Sequence, residues 1–183
     1  MELAFRCADE NEPRMSAGRN ELAAWGRLLI RASNAAARDN RPGEAQDALR
    51  MARMAAAGTD KDFVLPYSPW HVFGPVTVSV VAAENATIQD RPKTALAIAA
   101  HIQGAKMPVP RYAPSHRLDV ASAHAALRQY PEAIGILQQM RRERPQWLPK
   151  QRYASDILTK IIKRRRTLTP EMRDLADFMH LAV

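Results

Sequence analysis

The sequence predicts an all-α fold of antiparallel helix pairs, closed by capping helices toward its C-terminal end. Three observations carry that expectation. Strand signals are scarce: aromatic residues make up 6% of the chain, and the one β-branched cluster is Val76-Thr77-Val78-Ser79-Val80-Val81. That cluster runs on into Ala82-Ala83-Glu84-Asn85, so it reads as helix. Elsewhere apolar residues recur at spacings of three and four, largely as Ala, Leu and Ile, and Ala has the strongest intrinsic helix preference. Finally, a Pro-containing turn that leads to an alanine occurs three times, as Arg41-Pro42-Gly43-Glu44-Ala45, Arg91-Pro92-Lys93-Thr94-Ala95 and Tyr130-Pro131-Glu132-Ala133.

Taken in order, residues 1–20 hold Asn11, Glu12, Pro13 and Gly18 and read as a partly ordered N-terminal remnant. Three helix–turn–helix units follow, at about 21–58, 74–104 and 115–144. Proline in the first turn of each second helix removes no hydrogen bond, because that N–H has no partner there. Ala45, Ala95 and Ala133 sit where the second helix crosses close to the first. The connecting segments, Leu65-Pro66-Tyr67-Ser68-Pro69-Trp70 and Met107-Pro108-Val109-Pro110, are longer than the turns inside the units. Beyond Pro145, Trp147 and Pro149, a capping helix at about 150–164 carries Tyr153, Ile157, Leu158, Ile161 and Ile162 at helical spacing. A last helix at about 170–181 opens with Thr169 as N-cap, Pro170 in its first position and Glu171 facing the positive helix end. Met172, Leu175, Ala176 and Met179 would pack it down, so residues 21–183 read as a single helical domain.

Composition narrows the class further. The chain has 183 residues, 46% of them hydrophobic, enough for one domain with a sizeable core. No apolar stretch reaches the roughly 18–20 residues of a membrane span. The acidic first residues do not resemble a signal peptide. Cys7 is the single cysteine, so no internal disulfide can form. Together these predict a cytoplasmic protein with no membrane partner. Lys and Arg number 27 against 19 Asp and Glu, and the imbalance is local. Residues 141–166 hold ten basic side chains against Glu143 and Asp156, which accounts for the whole net charge of +8. Lys160, Lys163, Arg164, Arg165 and Arg166 are therefore candidate phosphate contacts, and direct nucleic-acid binding through this segment is the alternative function. A solvated helix face explains the same charges, and no aromatic residues alternate with them to stack bases.

No Gly-rich phosphate loop, H-E-x-x-H, paired cysteine or nucleophile elbow is present, so the chain reads as a non-enzyme with no catalytic residue, metal or cofactor. His116 and His124 are eight residues apart, about 12 Å along a helix and too far to share a metal. His116 and Asp119 are close enough to touch, and a plain surface hydrogen bond is the simpler reading than a dyad. In stacked helix pairs the first helices line the concave side. Asn34, Thr77, Glu84, Asn85, His116, Asp119 and His124 are therefore candidates for a groove that holds a peptide, a small effector or a protein partner. Ordinary exposed polar positions would look the same. Aligning the units sets Asn34 against Glu84, and Asn85 against His124. Trp25, Phe73 and Trp147 read as core, Tyr67 and Trp70 as loop anchors in preference to a lid over the groove, and Met51, Met54 and Met140 as gap-filling core or interface residues.

Helix pairs of this length, with small residues at the crossing, resemble tetratricopeptide-like repeats, although the Trp-Leu-Gly-Tyr signature is incomplete in every unit. Four stretches also resemble the C-terminal sensor region of bacterial XRE-type helix-turn-helix transcriptional regulators. They are AWGRLLIRASNAAARDNRPGEAQDALRMARMAAAG, FGPVTVSVVAAENATIQDRPKTALAIA, LDVASAHAALRQYPEAIGILQQMRRERPQWLPKQRYASDIL and RRRTLTPEMRDLADFMHL. They cover roughly residues 20–183 in the family's order. The resemblance implies a right-handed superhelix and a non-catalytic ligand- or protein-binding sensor module associated with transcription regulation. Met1 to Asn20 cannot supply three DNA-reading helices, so the chain is expected to lack its own helix-turn-helix. Its implied partners are then a full-length regulator or a second copy of itself.

Overall fold

A computed structural model of the chain describes residues 2–14, 16–66, 68–102, 112–165 and 167–181, with the side chains of 68–70 and 112 outside the description. The described residues are mostly helical, with one small two-stranded sheet. They form two compact units, Met1–Tyr112 and Ala113–Val183, where a single domain over 21–183 was expected.

The first unit contains α1 (Glu2–Glu10), α2 (Arg19–Arg38), α3 (Pro42–Ala57), β1 (Phe63–Leu65), β2 (Ser68–Phe73), α4 (Pro75–Ile88) and α5 (Pro92–Ile102). Helices α2 and α3 form one hairpin and α4 and α5 another, and α4 packs against both helices of the first. Trp25, Leu29, Ile30, Leu49, Ala52, Phe73, Val78 and Val81 share the core. The Val76–Val81 run is helical, as its continuation into Ala-rich sequence predicts. The second unit contains α6 (Tyr112–Ala126), α7 (Tyr130–Glu143), a 3-10 turn (Leu148–Lys150), α8 (Arg152–Lys163) and α9 (Pro170–Phe178). Its core joins Leu118, Ile134, Leu137, Met140, Leu148, Leu158, Ile161 and Leu175, and Trp147 packs half-buried against it. Thr169 caps α9 by accepting a hydrogen bond from the Met172 N–H at 3.3 Å. Among the apolar positions singled out in the sequence, Met54 is 70% exposed and Tyr153 is 39% exposed.

The repeated turn is built the same way each time. Asn40, Asp90 and Arg128 adopt left-handed φ values of 56°, 52° and 62° just past α2, α4 and α6. The next residue's N–H then reaches back to a last-turn carbonyl: Arg41 to Ala36 at 2.9 Å, Arg91 to Ala86 at 2.8 Å, Gln129 to His124 at 2.9 Å. This is the Schellman closure, which satisfies carbonyls the helix end leaves open. Four residues on, Ala45, Ala95 and Ala133 are all buried at the crossing. The shared register equates Asn34 with Glu84, as the alignment predicts. It equates His124 with Ala86, however, and not with Asn85. The third turn places Tyr130 ahead of its proline, which shifts a proline-based alignment by one.

Two elements escape the sequence reading. Residues of the N-terminal remnant form α1, which docks on α2: the Trp25 indole N–H donates to the Ala8 carbonyl at 3.0 Å, and Phe5 packs on Ala36, Ala37 and Ala45. Between α3 and α4, β1 and β2 pair antiparallel, with Phe63 opposite Phe73 and Val64 opposite Val72. Phe73 is fully buried against α2 at Gly26, where a Cβ would lie 2.0 Å from its ring. Ahead of the hairpin, Asp62 caps α4 from a distance, accepting from the Val76 N–H at 2.7 Å, the Thr77 N–H at 2.8 Å and the Thr77 hydroxyl. Gly74 permits this, since a Cβ there would sit 2.4 Å from the Asp62 Cα. Of the anchors expected in this region, Tyr67 and the Trp70 side chain lie outside the described residues, as does the Met107–Pro110 connection.

Candidate functional site

Polar residues on the first helices of each hairpin are mostly engaged in holding the fold. In the first unit, Glu84 on α4 accepts from Arg38 Nη2 at 2.7 Å and from Asn34 Nδ2 at 3.4 Å, both on α2. One position along, Asn85 Nδ2 donates to the Ser33 hydroxyl at 3.2 Å, and that hydroxyl donates to the Ile30 carbonyl at 2.9 Å. Thr77 is committed to Asp62. Asn34, Thr77, Glu84 and Asn85 are therefore mainly ties between α2, α4 and the segment before the hairpin. Thr77 and Asn85 are each 2% exposed.

In the second unit, His116 is also buried, and its Nδ1 has no hydrogen-bond partner among the described residues. Burial pushes the imidazole below its ordinary pKa, because a charged ring would lose its hydration. Little of the His116 ring is open to solvent. Asp119 is half-buried. His124 is half-buried too, and its Nδ1 lies 2.8 Å from Gln129 Oε1 across the α6–α7 turn. Among the described residues, no group of three or more His, Cys, Asp or Glu could hold a metal ion.

An open cleft does exist in the first unit, on the side of the second helices. Gln46, Arg50 and Arg53 recur along one face of α3 at spacings of four and three. Ala82, Asn85, Ala86 and Gln89 follow the same rule on α4 and form the floor, whose small alanines leave depth. Arg91 in the following turn, with Thr94 and Ile98 on α5, closes the far wall. The cleft measures about 320 Å³. Asp47 pairs with Arg50 at 3.0 Å, leaving Arg53 and Arg91 with no carboxylate within 4.0 Å among the described residues. Both are exposed at the cleft. Asn85 takes part here as well: its Nδ2 points to Ser33, while its Oδ1 is buried and has no partner among the described residues. The two guanidinium groups without a carboxylate partner can receive an anion.

The basic segment is more occupied than its charge suggests. Arg141 pairs with Asp174 and lies 4.5 Å from the centre of the Phe178 ring. Arg165 sits 5.8 Å over Tyr130, and Arg152 lies 4.0 Å from Asp156. Outside the segment, Arg117 pairs with Glu143 and holds that carboxyl below the usual carboxylate range, helped by Gln139. Lys160, Lys163 and Arg164 remain together, lining a shallow depression with Asp156 and Thr159 near the C-terminal end of α8. Cations there also complement the negative end of the helix dipole. Arg166 lies outside the described residues.

No protein-family model matches the chain, and no curated protein or solved structure matches it significantly. The site residues missed by the sequence reading are Arg50, Arg53 and Arg91. Their signal was present, as basic residues three apart on α3 and a third ahead of Pro92.

Proposed function

We propose that the chain is a non-catalytic sensor module associated with transcription regulation, and that it takes an effector in the cleft between α3 and α5. In this reading the hairpins are tetratricopeptide-like repeats of a right-handed superhelix. The module acts through a full-length regulator or a second copy of itself. The association with regulation rests on the sequence resemblance. The binding role rests on one observation, the two guanidinium groups of Arg53 and Arg91 lining a cleft with no carboxylate within 4.0 Å of either among the described residues. Native mass spectrometry of the protein purified from its own host tests it. A retained small molecule, lost when Arg53 and Arg91 are both changed to Gln, is the expected result. A bare chain, or an adduct indifferent to those changes, refutes it.

A second reading, direct nucleic-acid binding, is supported by the clustering of Lys160, Lys163 and Arg164 without a carboxylate partner among the described residues. It requires a mobility shift at low salt that weakens steeply as salt rises, and that is lost when all three become Ala. Absence of any shift at low salt removes it.

A further inference from the structure

A second cleft, independent of the α3–α5 site, lies wholly within the second unit, and from it we infer a binding site for a free α-amino acid with a large apolar side chain. It opens between the first half of α7 and the start of α9 and measures about 330 Å³, at the small end of ligand sites. Pro131, Ile134, Gly135 and Gln138 lie along one face of α7 at spacings of three, one and three, and Met172 of α9 lines the other side. Tyr130, Ile134 and Met172 are core residues whose accessible edges form its floor. Gly135 gives the cleft room. It lies in the interior of α7, where alanine is the better helix former, and a Cβ there would meet nothing within 4 Å. Close packing therefore does not require a glycine at this position, and what the missing side chain preserves is open space at the cleft.

The two charged groups lining this cleft have opposite signs and are not paired with each other. Arg165, in the segment after α8, sits 5.8 Å over the Tyr130 ring and has no carboxylate within 4.0 Å among the described residues. Glu171, in the first turn of α9, is held below the usual carboxylate range by hydrogen bonds from the Thr169 hydroxyl and its own backbone N–H, so it is ionised at neutral pH. A carboxylate has more acceptor sites than those two bonds use, so Glu171 can still take a donor. An anion alone would satisfy Arg165 and be repelled by Glu171, and a cation alone would do the reverse. A zwitterion with an apolar body meets the whole lining at once. Its carboxylate pairs with Arg165, its ammonium pairs with Glu171, and its side chain leaves water for the surface of Ile134, Gly135 and Met172.

The test follows amide chemical shifts of the full chain while leucine, methionine or phenylalanine is titrated into the tens of millimolar. For the one that binds most tightly, its amide removes the carboxylate and its desamino acid removes the ammonium, while glycine lacks the side chain. The expected result is that at least one of the three shifts amides in the first half of α7 and the first turn of α9. Each control should bind about fivefold or more weakly, as the loss of one ion pair implies for the two charged controls. Arg165→Gln and Glu171→Gln, both at exposed positions, should each weaken binding about fivefold. Gly135→Leu puts a side chain at the cleft from an exposed helix position, so binding should be lost while α7 amides keep or gain protection from exchange. The inference is overturned if none of the three amino acids binds, if the amide or the desamino acid binds as tightly as the zwitterion, or if glycine shifts the same amides equally. It is also overturned if both charge variants keep native affinity, if Gly135→Leu binds like the native chain, or if the shifts are confined to α3, α4 and α5.

Discussion

Gly26→Ala tests how the strand hairpin is locked to α2. In the middle of a helix, alanine is ordinarily favoured over glycine by about 1 kcal/mol. Here the added methyl would lie 2.0 Å from Phe73 Cζ and 2.5 and 2.6 Å from its Cε atoms. Carbon atoms pack at about 3.5–4.0 Å, so the ring must withdraw by roughly 1.5–2 Å. Phe73 is fully buried beside the equally buried Val72, and its retreat disturbs packed neighbours at about 3 kcal/mol, the upper part of the overpacking range. Net destabilisation of about 2 kcal/mol is expected. Gly135, on the exposed side of α7, has nothing within 4 Å of its Cβ position, so Gly135→Ala should stabilise by up to about 1 kcal/mol. Hydrogen exchange read segment by segment reports each unit separately, with α2 amides losing protection in the first variant and α7 amides gaining it in the second. Adding Gly26→Ala to Phe73→Ala isolates the cause, because with the ring gone the alanine should become neutral or favourable. Equal destabilisation in both backgrounds would refute the clash.

Three further outcomes follow from the turns, the remote cap and the buried histidine. Arg128→Gly should raise the stability of the second unit by about 1 kcal/mol, since a left-handed φ costs a side chain what glycine avoids; unchanged protection in α6 and α7 would count against it. Asp62→Ala should cost about 1–2 kcal/mol and expose the first amides of α4 to exchange, while Asp62→Asn should lose less. His116 is neutral when folded and has its pKa depressed by burial, so its contribution is complete above about pH 6.5 and is lost as pH falls through the lower folded value. Urea midpoints taken downward from neutral pH should therefore fall more steeply for the native chain than for His116→Gln, and parallel slopes would refute this.

The helices were legible because their determinants are local. The Thr169 cap, the prolines opening α3 and α5 and the alanines at the crossings each act through neighbours within a turn or two of sequence. The β hairpin was not legible, because it consists of three residues paired with six and is interrupted by Pro66 and Pro69. Its stability comes from Phe73 entering a gap at Gly26, a contact across 47 positions that no periodicity encodes. Helix α1 was hidden for a similar reason: it is nine residues long, too short to be stable alone, and is held by the Trp25 bond to Ala8 and by Phe5.

The site was legible only as a list of polar positions, and the physical reason lies in how a hairpin array consumes its side chains. Where two first helices pack, a polar residue must either find a partner or stay at the edge, and Asn34, Glu84, Asn85 and Thr77 found partners. The second helices are under no such demand on their outer faces, so Arg53 and Arg91 keep their charge unopposed beside the alanine floor. Asn85 ties α4 to α2 through one end of its amide, while its buried Oδ1 has no partner among the described residues.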